Sequence, residues 1–210
     1  MKKYIFLFLT ILLCANFTMA QVVRVDQIYT DHPRKQVLID ETLVYNNLLT
    51  EAAHEIRDPS ISYVPSYVAI DYPMGDVDPN TGVCSDVIIR AYRKLNIDLQ
   101  QLVHEDMKEN FDMYPSYDNW GMTKPDKNID HRRVYNLMTF FARQQADLPI
   151  EGEYRPGDIL VFKIFGRIPH IGIYLGNGVI MHNIGGGQVY DSMHQTSYEM
   201  YARYRWRVDG

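Results

Sequence analysis

At 210 residues the chain has the length of one domain, enough to bury a sizeable core without disulfide staples. Hydrophobic residues make up 46% and charged residues 22%, which excludes a disordered, collagenous or coiled-coil chain. A net charge of −5 without a Lys/Arg run argues against nucleic acid as a partner and against electrostatic docking on anionic surfaces.

Residues 1–20 read as a secretory signal peptide. Lys2 and Lys3 form a positive start, Tyr4 to Leu13 is an apolar run too short for a bilayer, and Thr18-Met19-Ala20 offers a cleavage site. An uncleaved anchor is the weaker alternative, and bulky Leu13 before Cys14 disfavours lipoprotein processing. Cleavage after Ala20 implies a periplasmic or secreted single domain over 21–210, expected as a monomer with no stable membrane span. Its charge is two units more negative, because Lys2 and Lys3 are removed. Of the two cysteines, Cys14 leaves with the signal and Cys84 remains. Neither a CxxC zinc site nor a disulfide framework is available, so the thiol is intermolecular, buried and inert, or reactive.

Asp40 to Ile56 carries Leu43, Val44, Leu48, Leu49, Ala52, Ala53 and Ile56 at helical spacing behind a capping Asp, and Asp58-Pro59 ends it. Tyr67 to Ile70 fits a short strand, followed by a turn-rich stretch from Gly75 to Gly82. Val83, Val87, Ala91 and Leu95 share one stripe, so Val83 to Leu95 is predicted as a buried helix with Cys84 in its first turn. Leu99 to Phe111 is also predicted helical. Tyr114 to Asn128 reads as a long surface loop holding Tyr117 and Trp120, and Asp130 to Gln145 returns to helical spacing. Beyond Arg155-Pro156-Gly157 the period switches to strands at Asp158–Lys163, His170–Leu175, Val179–Ile184, Gln188–Asp191 and Arg203–Val208. Asn177-Gly178 and Gly185 to Gly187 are hairpin turn signals. Helices first and an antiparallel meander after make an α+β arrangement.

A cysteine in the first turn of a helix sits among unpaired N–H groups at the positive end of the macrodipole, which favours the thiolate. Thiol chemistry also needs a base and a polar group that fixes the base's tautomer. Cys84, His170 and His182 fit nucleophile, base and orienter, and the N–H of Cys84 is a ready donor to an oxyanion. A hairpin with a regular two-residue turn would put His182 opposite Ile173, facing away from His170. An odd register, such as a bulge at Gly178, is therefore expected; without it Asn183 becomes the better third residue.

These residues also carry a resemblance. Pro156 to Phe162, then His170-Ile171-Gly172-Ile173-Tyr174-Leu175-Gly176-Asn177-Gly178, then Met181-His182, resemble the strand block of NlpC/p60-type cysteine peptidases, and Cys84-Ser85 resembles their nucleophile motif. The strings Gly82 to Arg93 and Asn128 to Arg133 look closer to an uncharacterised bacterial branch of that superfamily. The resemblance covers about Tyr72 to Asn183 and implies a papain-like fold with a Cys84, His170, His182 triad. It implies a thiol peptidase or amidase acting on bacterial cell-wall peptide, with no cofactor. Tyr72, twelve residues before Cys84, matches a tyrosine whose hydroxyl assists the oxyanion site. The family's Asp-Cys-Ser-Gly becomes Val83-Cys84-Ser85-Asp86 here, and a long insert runs from Leu95 to Asp158, which leaves substrate preference open.

Weaker candidates have two readings each. Asp86 caps the helix or pairs with Arg90 four residues on, or else borders the substrate. Asp130, His131, Arg132 and Arg133 open a helix as a solvated face with Asp130 as cap, or supply an Arg that holds a substrate carboxylate. Trp120 and Tyr117 line a cleft or pin their loop. His32, His54, His104 and His194 show no partner pattern. Two rival functions stand beside the hydrolase: a zinc module using Cys84, His170 and His182, and a catalytically silent binding domain that keeps the cleft.

Overall fold

The computed structural model describes residues 48–206, all within a compact unit spanning 41–210. The signal segment, Cys14, His32, the first turns of the helix expected from Asp40, and positions 207–208 of the last strand lie outside the described residues. No described helix is long and apolar enough to cross a membrane.

Helix α1, described over 48–55, turns Leu49, Ala52 and Ala53 into the core and leaves Leu48 at the surface. Strand β1 (Ser62–Tyr63) then pairs in parallel with β2 (Thr81–Gly82). The strand expected at Tyr67–Ile70 does not form. Side chains of the 126–128 turn take the place of a ladder there: Tyr67 donates its hydroxyl to Asp126, and the Ile70 N–H donates to Asn128 Oδ1 at 3.1 Å.

Helix α2 (Cys84–Lys94) buries Val87, Ile88, Ala91 and Tyr92, as the stripe predicts. Helix α3 (Leu99–Asn110) is capped by Asp98, whose carboxylate accepts the Gln100 N–H, and buries Leu99, Val103 and Met107 on one face. The stretch expected as an open loop contains a short helix, α4 (Ser116–Trp120), closed by Gly121 in the left-handed conformation at φ 63°. The helix expected from Asp130 begins later. Asp130–Arg132 form a 3₁₀ turn, Arg133 is extended, and α5 runs Val134–Arg143 with Leu137, Phe140 and Phe141 buried.

The sheet comprises β3 (Asp147–Leu148), β4 (Ile159–Ile164), β5 (Ile168–Gly176), β6 (Val179–His182), β7 (Val189–Ser192) and β8 (Tyr198–Tyr204). Its order is β3-β8-β4-β5-β6-β7, antiparallel throughout. The meander holds for β4 to β7, but β8 starts earlier than expected and returns to the free edge of β4. Burial supplies the reason: Leu160, Val161 and Phe162 of β4 are enclosed on both faces, so a strand is needed on each side.

Alternation splits the sheet into two faces. Ile159, Val161, Ile171, Ile173 and Met181 pack with the helices in the main core. Leu160, Phe162, Ile164, Tyr174 and Ile180 form a second cluster under Tyr154, Met193, Tyr198 and Met200. Phe141, packed against Tyr92, Tyr204 and Trp206, belongs to the main core, and its truncation to Ala removes about 3–5 kcal/mol.

Candidate active site

The β5–β6 hairpin decides whether the two histidines can meet. Asn177 and Gly178 both have positive φ, at 51° and 75°, which makes a two-residue turn with Gly176 paired to Val179. The register then shifts between Tyr174 and Gly176, so Tyr174 faces Ile180 and Ile173 faces Met181. The odd residue thus lies in β5 at Leu175-Gly176, before the turn and not at Gly178 as expected. Gly176 bears the strained geometry at φ 101°. The shift puts His182 beside Gly172, on the same face as His170. A side chain at Gly172 would strike the Met181 carbonyl at 2.8 Å and the His182 Cβ at 3.3 Å, which explains glycine there.

The two rings bond directly: His170 Nε2 lies 2.8 Å from His182 Nδ1. On the far side His182 Nε2 is 3.5 Å from the Asp191 carboxylate, which is held by Gln195 at 2.7 Å and by the Tyr198 hydroxyl at 3.1 Å. A carboxylate only accepts, so the tautomer of His182 with its proton on Nε2, toward Asp191, is the one that leaves Nδ1 to accept from His170. His170 Nε2 is then the donor, and its lone pair is on Nδ1. Burial and the neighbouring His182 push the pKa of His170 down to about 3, so both rings rest neutral. Burial pushes the Asp191 carboxyl up, but Gln195, the Ser192 N–H, Tyr198 and His182 together hold it below its usual value.

Cys84 opens α2 and is 4% exposed. The N–H groups of Ile171, next to His170 on β5, and of Ser85, together with the Tyr63 hydroxyl, lie near its sulfur and act to lower its pKa. Burial nevertheless outweighs these donors, and with the negative charge of Asp86 it pushes the thiol up to about 11. The thiolate expected from the helix start is therefore not the resting form: desolvation exceeds the dipole.

Tyr72 does not reach this site. Its ring packs edge-on against His104 at 5.3 Å and beneath Lys127, so the oxyanion role expected for it is corrected. Tyr63 on β1 is the tyrosine at the thiol. Sequence spacing misses it because β1 reaches Cys84 through its parallel pairing with β2, which immediately precedes α2. A Tyr inside a two-residue strand leaves no periodic signal.

Asp86 is not paired with Arg90, which instead bonds Asp76 at 3.0 Å. Its carboxylate accepts the Val83 N–H at 2.7 Å and both arms of the buried Arg132 at 2.9 Å. The Arg132 carbonyl in turn accepts the Ser85 hydroxyl at 2.7 Å, which staples the 130–133 turn to the start of α2. Asp130 is corrected too: it caps no helix but accepts the Asp126 N–H inside the turn. Burial pushes its carboxyl up to about 7. His131 is buried away from the thiol, and burial with nearby Arg132 lowers it to about 3. Asn183 Nδ2 donates to the Gly82 carbonyl at 3.5 Å and its Oδ1 accepts the Gly185 N–H, so it shapes the turn after β6.

A cleft of about 360 Å³ opens over Cys84, walled by Tyr63, Tyr67, Trp120, Arg133 and Pro169. Tyr117 is not among its walls and is exposed on α4. The zinc reading loses its geometry: His170 and His182 direct facing nitrogens at each other, and no group of three or more His, Cys, Asp or Glu among the described residues could hold a metal ion.

Comparison with known proteins shows a relative in Escherichia coli (strain K12), "Uncharacterized protein YijF", 37% identical over 86% of this chain and 93% of its own length. A local match of 51 residues at 37% identity links the chain to "Probable endopeptidase p60" of Listeria seeligeri, covering 24% of this chain and 10% of that protein. Among solved structures, NlpC1 of Trichomonas vaginalis aligns with a TM-score of 0.42 at 20% identity, over 75% of this chain and 43% of its own. NlpC2 of the same organism aligns with a TM-score of 0.41 at 16% identity, over 77% and 47%. A family profile described as a domain of unknown function, DUF1287, matches residues 50–206, and the chain belongs to that family.

Proposed function

We propose that the protein is a periplasmic or secreted thiol hydrolase that cleaves an amide bond in bacterial cell-wall peptide. The observation that carries this reading is the 2.8 Å bond from His170 Nε2 to His182 Nδ1, on the strand whose next residue, Ile171, turns its N–H toward the Cys84 thiol. The motif resemblance to NlpC/p60 peptidases and the local match to a probable endopeptidase support the substrate class.

Because thiol and imidazole rest neutral, proton transfer accompanies attack instead of preceding it. Cys84 sulfur adds to the amide carbonyl while His170 Nδ1 takes the thiol proton, and His182 with Asp191 stabilises the resulting imidazolium. The N–H of Cys84 and the Tyr63 hydroxyl, freed as sulfur gives up its lone pair, receive the oxyanion. His170 then protonates the leaving amine, and water releases the acyl group by the reverse order of steps.

Mass spectrometry of a peptidoglycan digest treated with wild-type protein and with Cys84→Ala tests the reading. New fragments are expected from the wild type alone, and equal fragment release by the variant overturns it. The raised thiol favours a second reading, a binding domain with an idle cleft. In that case alkylation of Cys84 is indifferent to His170→Ala, whereas the hydrolase reading expects the variant to label more slowly.

A further inference from the structure

Two arginines line the cleft over Cys84, and they are in opposite states. Arg132 has its guanidinium filled by Asp86 in a bidentate pair. The guanidinium of Arg133, the next residue, forms no hydrogen bond or ion pair with any described residue. Its guanidinium carbon lies 4.1 Å above the ring of Trp120, which is 39% exposed, and its Nη1 is buried without a partner. Burial lowers its pKa, while Asp130 and Asp126 act on it only at a distance. A half-buried guanidinium without an anion is costly, and stacking on an indole face recovers only part of that cost.

The backbone explains why this side chain is free. Arg133 is the extended residue between the 3₁₀ turn and α5, so it points away from the direction Arg132 takes toward α2. The other cleft walls are aromatic or aliphatic: Tyr63, Pro65, Tyr67, Ile129, Val134 and Pro169.

We infer that Arg133, stacked on Trp120, is a subsite for a single carboxylate of the bound peptide, and that the substrate class is a peptide carrying a free carboxylate near the bond over Cys84. One planar guanidinium matches one carboxylate by paired N–H donors. A phosphate dianion calls for a second cation, and Arg132, the other one in the cleft, is neutralised by Asp86. This inference rests on the hydrolase reading for the identity of the ligand as a substrate, but its test does not need turnover.

Cys84→Ala protein is titrated with a tetrapeptide from a cell-wall digest and with the same peptide fully converted to carboxamides, and the tryptophan emission is followed. Trp120 reports on the cleft, and Trp206 is buried in the main core. The free-carboxylate peptide is expected to bind at least about tenfold more tightly, the size of one charge-assisted contact, and to perturb Trp120 emission. Adding Arg133→Gln brings its affinity down to that of the amidated peptide. Arg133→Lys, which keeps the charge without the fork, falls between, and a circular-dichroism melt of each variant establishes that it is folded. Equal affinities for the two peptides, a preference that survives Arg133→Gln, or no binding of either at millimolar concentration overturns the subsite. Carboxylate-selective binding by a wild-type protein that releases no fragments leaves the subsite standing and overturns the hydrolase reading.

Discussion

The hairpin that carries His170 and His182 and the turn that carries Asp130 to Arg133 are both buried and polar, yet they are built on different terms. In the hairpin each functional ring is engaged: His170 by His182, His182 by Asp191, Asp191 by Gln195 and Tyr198. In the turn, Asp130 Oδ1, His131 Nδ1 and Arg133 Nη1 are buried without partners, as is Nδ1 of the adjoining His104, 3.7 Å from Asp130. Only Arg132 is satisfied there. A closed network holds one geometry and one tautomer, which suits a proton carrier; of the unpaired groups only Arg133 borders the cleft, where it suits recognition.

Breaking the hairpin network at its chemistry has the largest expected effect. Under the proposed hydrolase function, Cys84→Ala and His170→Ala are each expected to lower turnover of a cell-wall digest by about three orders of magnitude or more, with little further loss in the double variant, as for residues that act as a unit. On the turn side the largest effect is on stability. Arg132→Ala leaves the buried Asp86 carboxylate unpaired and costs about 3–5 kcal/mol, read from chemical denaturation.

Substitutions of smaller effect act around the hairpin network. Asp191→Asn loosens the tautomer of His182 without touching the thiol; it lowers kcat by about tenfold to a hundredfold and changes the pH–rate profile, with Asp191→Glu recovering part of the loss. Tyr63→Phe lowers kcat by about tenfold through the oxyanion, whereas Tyr72→Phe leaves turnover close to wild type. A large effect at Tyr72 would return the oxyanion role to it.

Acid titration reads both regions at once. His170 and His131 have folded pKa values lowered from 6.5 to about 3, so the unfolded chain binds more protons between those limits. Their contribution is fully present above pH 6.5 and is lost as pH falls toward 3. The melting temperature is expected to drop over that window. His131→Gln should flatten part of the drop while leaving any cleavage unchanged, because the proposed proton path runs through His170 and not His131.

The candidate site was legible where local chemistry is legible. The stripe Val83, Val87, Ala91 and Leu95 predicts α2 within a residue at each end, and the turn signal at Asn177-Gly178 predicts the hairpin. Side-chain alternation also requires an odd register, because His170 and His182 cannot otherwise share a face. Its position one residue before the turn was not legible, since either glycine, Gly176 or Gly178, tolerates the required φ. Asp130 as a helix cap failed because nothing local distinguishes the first turn of an α-helix from a 3₁₀ turn tied to α2 by Ser85 and Arg132.

By itself the sequence determined the α+β class, a thiol at a helix start and two histidines on one hairpin, all of them set by local sequence patterns. Tertiary structure alone decided that Tyr63 and not Tyr72 meets the thiol, that Asp86 belongs to Arg132, and that, of the two cleft arginines, Arg133 is the one without an ion pair among the described residues. It also decided the protonation state of Cys84, because the helix start favours a thiolate locally while burial by the sheet and β1, a cost paid only on folding, favours the thiol.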